Sequence, residues 1–149
     1  MKRHLLIAAV LTASLAATHA FARNSIDDYS IDDALKSSTG EAKVGDDIGL
    51  YFAGQPHAAV VKKFGEFQAN KKTNAFGKSD EAACQHVFLS AVLELQKRAR
   101  KEGGNAVINI KSNYYDKEKA SATEYTCGAG ALMAGVTLKG DVVTLKTTK

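Results

Sequence analysis

The chain of 149 residues contains no tryptophan, one proline, two cysteines and four histidines. The cysteines, Cys84 and Cys127, are not in C-x-x-C spacing, so the usual redox-active dithiol is missing. His57 and His86 are the only imidazoles beyond the N-terminal segment. Cys84 and His86 lie two apart, and on a helix they point to different faces, so they do not announce a metal site. No G-x-S-x-G elbow occurs, which removes the serine-hydrolase reading, and Cys84 is better used in a disulfide than as a nucleophile. No apolar run reaches the roughly 20 residues that a transmembrane helix needs. Lys and Arg number 20 against 16 Asp and Glu. Part of that small excess sits in Lys2 and Arg3 and part in Lys139, Lys146 and Lys149, so nucleic acid is not an expected partner.

What is present begins with an export signal. Lys2, Arg3 and His4 form a basic start, Leu5 to Ala17 is apolar apart from Thr12 and Ser14, and Ala20-Phe21-Ala22 fits the small-x-small cleavage rule. The expected cut follows Ala22, with Ala20 as the alternative. No cysteine stands near it to take a lipid anchor. The remainder is then periplasmic or secreted and of single-domain size. In an oxidising compartment an even cysteine count predicts a Cys84–Cys127 disulfide, which would contribute about 4 kcal/mol on the chain-entropy estimate.

Along the chain, residues 23–47 read as a partly flexible N-terminal arm, 48–145 as an α+β domain and 146–149 as a tail. In the arm, Ser25-Ile-Asp-Asp28 is echoed by Ser30-Ile-Asp-Asp33. The order is not that of a calcium loop, and Ser30 with Asp33 suits an N-cap ahead of a short turn at Ala34 and Leu35. Ile48 to Phe52 predicts a strand ending at Gly54-Gln55-Pro56, and Val60 to Ala69 a second one. Ser79 to Gly104 predicts a long helix: Ser79 caps it, Asp80 and Glu81 suit its first turn, and Gly103-Gly104 stops it. Cys84, Val87, Phe88, Ala91, Leu95 and Ala99 share one stripe, which needs a broad apolar partner. Asn105 to Ser112 alternates as a strand, with Ala106, Ile108 and Ile110 on one face and Val107, Asn109 and Lys111 on the other. Ser121 to Cys127, Ala131 to Leu138 and Asp141 to Leu145 supply further strands, after a charged turn at Tyr114 to Lys119. The expected fold is α+β: one long amphipathic helix packed on a mainly antiparallel sheet.

Gly130-Ala-Leu-Met-Ala-Gly135 has the glycine spacing of a phosphate-binding P-loop, but Val136 stands where the lysine belongs, which argues against nucleotide hydrolysis. Gly128-x-Gly130 likewise lacks the third glycine of a dinucleotide fingerprint, since Met133 stands there. Small residues in close-packed strands explain both. Asp27 with Asp28 and Asp46 with Asp47 read as solvated surface, and Tyr114 with Tyr115 as packing beside a hairpin. No catalytic, cofactor-binding or metal-ligating residue is assigned.

The segment Lys101-Glu-Gly-Gly-Asn-Ala-Val-Ile-Asn-Ile-Lys-Ser112, running off an amphipathic helix toward a Gly-containing strand through Met133 and Leu138, resembles the YbjQ-like domain. It also resembles the related domain of the Rcs envelope-stress sensor lipoproteins. The resemblance implies a helix against an antiparallel sheet for about Ile48 to Leu145. The sensors' lipid-bearing cysteine and second disulfide have no counterpart, so membrane tethering is not carried over. Tyr29-Ser-Ile-Asp-Asp-Ala-Leu35, Asn70-Lys-Lys-Thr-Asn74 and Glu124-Tyr-Thr-Cys-Gly-Ala-Gly130 are similar to a family of small exported bacterial proteins labelled as an excinuclease ATPase subunit. Full excision-repair ATPases carry complete Walker motifs and zinc-binding cysteines, so ATPase activity does not follow for this chain. The expected function is non-catalytic binding or sensing of an envelope component. A small-ligand or metal-binding module of the YbjQ-like kind is the alternative.

Overall fold

A computed structural model describes residues 23–147. The export segment 1–22, with both cleavage positions, lies outside the described residues, as do tail residues 148 and 149. The order of elements is β1 (Asn24–Ser30), α1 (Ile31–Leu35), α2 (Ser38–Lys43), β2 (Gly49–Phe52), β3 (Val60–Asn74), α3 (Asp80–Glu102), β4 (Ala106–Tyr114), β5 (Lys117–Lys119), β6 (Glu124–Gly130) and β7 (Met133–Leu145).

The long helix α3 forms for the reasons legible in its ends. The Ser79 hydroxyl accepts from the Ala82 amide at 3.1 Å, and Gly103 leaves the helix in the left-handed region at φ 83°, which glycine alone reaches without strain. Its apolar stripe, with Val92 added, is buried. Phe88 stacks on Tyr125 of β6 at 3.9 Å between centroids and on Phe52 of β2 at 6.0 Å. Gln96 is also fully buried on this stripe. Its amide donates to the carbonyls of Gly45 and Ile48, at 2.8 and 3.2 Å, and so ties the connection before β2 to the helix.

The strands form one seven-stranded sheet in the order β1-β6-β7-β4-β2, with β3 on β7 and β5 on β4. It is mixed rather than purely antiparallel, because β2 runs parallel to β4. A parallel pair needs a crossover, and here the chain passes through β3 and α3 before returning as β4. β7 is the axis. β3 follows it from Val60 opposite Leu145 to Asn74 opposite Met133. Its other edge is shared between β4 and the end of β6.

Several expectations are corrected. The stretch read as an arm contains β1, paired with β6 from Asn24 opposite Gly130 to Ser30 opposite Glu124, followed by two short helices. The Ser30 cap is present, accepting from the Asp33 amide at 3.1 Å. β3 extends through the polar run Asn70–Asn74, and β7 is continuous across Gly140. The faces of β4 are not those of simple alternation. Asn109 adopts φ 52° where the register slips between Ile108 and Lys111. This bulge puts Val107 and Ile110 in the core under α3, and Ala106 and Ile108 in a small cluster with Val143 and Leu145.

The resembling segment off the helix has a structural account. A Cβ on Gly104 would lie 2.7 Å from the Val143 carbonyl oxygen. The Asn105 side chain donates to the Leu145 carbonyl and accepts from its amide, at 3.0 and 2.7 Å, closing the end of β7.

Candidate functional site

The disulfide joins Cys84, in the first turns of α3, to Cys127 in β6, across 43 residues with Cα atoms 5.8 Å apart. Both residues are fully buried, so the bond fastens helix to sheet and presents no reactive sulfur. The histidines are apart: His57 sits in the turn after β2 with its ring against Tyr51, and His86 is exposed on α3. Among the described residues no group of three or more His, Cys, Asp or Glu side chains is placed to hold a metal ion. Asp47 is taken by a two-pronged pairing with Arg100, both contacts at 2.7 Å. That guanidinium holds the Asp47 carboxyl below its ordinary range. The segment Gly130–Gly135 runs from the end of β6 through the hairpin turn at Ala131 and Leu132 into β7, whereas a phosphate cradle needs a loop entering a helix.

The helix covers one face of the sheet, and the other face carries the remaining chemistry. At its β2 end lies the small apolar cluster of Ala106, Ile108, Val143 and Leu145. Next comes a charged layer, where Glu118 of β5 receives both Lys139 and Lys111, the latter at 3.0 Å, and Lys139 also reaches Glu66 at 3.4 Å. Hydrogen bonds from the lysines hold the Glu118 carboxyl below its usual range. Asp28 of β1 is likewise lowered by Lys119, and it accepts from the Thr126 hydroxyl at 2.7 Å.

Beyond this layer is an apolar groove of about 520 Å³. Cys127 and Ala129 face the core, so the alternating positions Gly128 and Gly130 face away from α3. Gly135 of β7 lies opposite Gly128. With no side chains there, the sheet leaves room that an aromatic ring fills, and the groove opens beside that ring. The ring is that of Tyr114: a Cβ on Gly128 would overlap this phenol, and one on Gly135 would sit 3.4 Å from its ring. Burial raises the Tyr114 phenol above its ordinary value of 10.0. Leu132 and Met133 line the groove and are 64% and 49% exposed. Tyr115 lies edge-on to Tyr114, 4.5 Å between centroids, and is 73% exposed. It occupies, with Asp116, the β4–β5 turn at φ 51° and 58°. Both angles are those of a type I′ hairpin turn, where Asn and Gly are the comfortable residues and tyrosine is strained.

The tyrosines and glycines of this groove were visible in sequence only as packing residues. The signal that marks a site is the placement of glycine at alternate positions of one strand face with a third glycine opposite. Comparison of the chain with family models, curated proteins and solved structures finds no match.

Proposed function

We propose that the protein is a non-catalytic binding module, periplasmic or secreted, that holds an envelope component on the face of the sheet that α3 leaves open. The observation that carries this reading is the apolar groove beside Gly130 and the Tyr114 ring, which is itself seated on Gly128 and Gly135, with exposed Leu132, Met133 and Tyr115 around it. Exposed apolar groups gathered at a concave site are the ordinary mark of a binding surface. The fully buried disulfide supports an oxidising compartment. Among the described residues no helix is long and apolar enough to cross a membrane.

The small-ligand alternative is favoured by the same groove, whose volume falls within the ~300–1,000 Å³ of ordinary ligand sites. Its metal variant lacks a donor group among the described residues. Relationship to the YbjQ-like and stress-sensor domains, and to the small exported family labelled excinuclease ATPase subunit, belongs to this proposal as kinship of fold. The hairpin geometry at Gly130–Gly135 supports leaving ATP hydrolysis out.

Site-specific photocrosslinking tests the reading. The full chain is expressed in a bacterium with a periplasm, carrying a benzophenone residue at Leu132 or, as a control, at Lys97 on α3. The expected result is an adduct from the Leu132 position alone, on a chain recovered from the periplasm. Equal labelling from both positions, or none from Leu132, overturns it.

A further inference from the structure

The groove does not end at the tyrosines. On the far side of Tyr114 and Tyr115 is a polar depression of about 210 Å³. Lys72, Tyr114 and Tyr115 line both spaces. Thr137 and Asn113 are 5% and 7% exposed and line the depression, and the Asn113 amide donates to Gln68 at 2.8 Å. Lys72 comes from β3 and Asp116 from the β4–β5 turn. No ion pair among the described residues engages either of them, although their lysine and glutamate neighbours are paired. An apolar groove therefore opens into a polar cup bordered by one free cation and one free anion.

We infer that the site takes a single-chain amphiphile with a zwitterionic head, its apolar chain in the groove beside the Tyr114 ring, along Gly130, Leu132 and Met133, and its head between Lys72 and Asp116. This inference rests on the binding-module reading and names the ligand class. The pairing follows from charge complementarity. An anionic head would meet Lys72 but be opposed by Asp116, a cationic head the reverse, and only a head carrying both charges satisfies both side chains.

The test is an NMR titration of the disulfide-bonded protein with dodecylphosphocholine, kept below its micelle concentration. Dodecyl sulfate, dodecyltrimethylammonium and free phosphocholine serve as comparisons. The expected result is saturable shifts at the amides of Gly128, Gly130, Gly135 and Tyr115 with dodecylphosphocholine. Each singly charged amphiphile should bind about fivefold more weakly, the ratio expected for one exposed charge pair. Phosphocholine without its chain should not saturate, and Leu132→Asp should abolish chain binding. Lys72→Met should move the preference toward the cationic amphiphile and Asp116→Asn toward the anionic one, a change of sign that general damage to the fold does not produce. Equal affinity for all heads, or no response at the groove amides, overturns the inference. A groove that crosslinks an envelope protein in cells yet ignores the amphiphile defeats the inference and leaves the binding module standing. If neither experiment responds, both fall.

Discussion

Gly128 shows how much a missing methyl group carries. It looked in sequence like filler beside an incomplete P-loop, because spacing along the chain says nothing about what crosses above a strand. In the fold it is the seat of the Tyr114 phenol. Gly128→Ala should cost about 1–3 kcal/mol through overpacking and displace Tyr114, read as a fall in the denaturation midpoint with loss of groove binding. Tyr115 makes the opposite case. Its left-handed backbone is a strain that asparagine relieves, so Tyr115→Asn should raise stability by about 1 kcal/mol. The same variant should bind more weakly, because an exposed ring is lost. A gain in stability without any loss of binding would show that the ring is not part of the site.

Among the elements, α3 was the most legible, because its cap, first-turn acids, apolar stripe and terminal glycine all agree with one another. β4 was legible as a strand and misread in its faces. The bulge at Asn109 is set by pairing with β7, where Ile108 opposes Asp141 and Lys111 opposes Lys139, and no local pattern encodes that slip. β1 was hidden for a related reason: Asp27 and Asp28 are poor strand residues, and only β6, a hundred residues on, supplies their register. Asn105 is the join between helix and sheet. Asn105→Ala should cost about 1–3 kcal/mol by leaving the Leu145 amide and carbonyl without partners, and hydrogen exchange should accelerate first at the end of β7.

At the scale of the molecule, two terms hold the layers together beyond the core. Removing the disulfide as Cys84→Ala with Cys127→Ala should lower stability by about 4 kcal/mol for a 43-residue loop, measured by denaturant titration. The second term is the set of depressed carboxylates at Asp28, Asp47, Glu94 and Glu118. A carboxylate lowered by folding contributes stability in full above its unfolded value, and the contribution is lost as pH falls through the folded value. The unfolded values are 3.8 for the aspartates and 4.5 for the glutamates. The melting temperature should therefore stay level from neutral pH to about 5 and fall below it, and Glu118→Gln should reduce the fall. The α+β class was legible because helix and strand periodicities are local; the mixed sheet and the groove were not, because both arise from pairings between distant segments.

The burial of Cys84 and Cys127 also dictates when the chain can be oxidised. Once α3 lies on β6, no oxidoreductase can reach either thiol, and only when it does are the sulfurs neighbours. Oxidation is therefore expected to be easiest before α3 has packed onto β6. A chain that folds while still reduced should oxidise only through opening of α3 from β6, and so more slowly than an unfolded chain given the same oxidant, a difference that a time course of thiol alkylation would read.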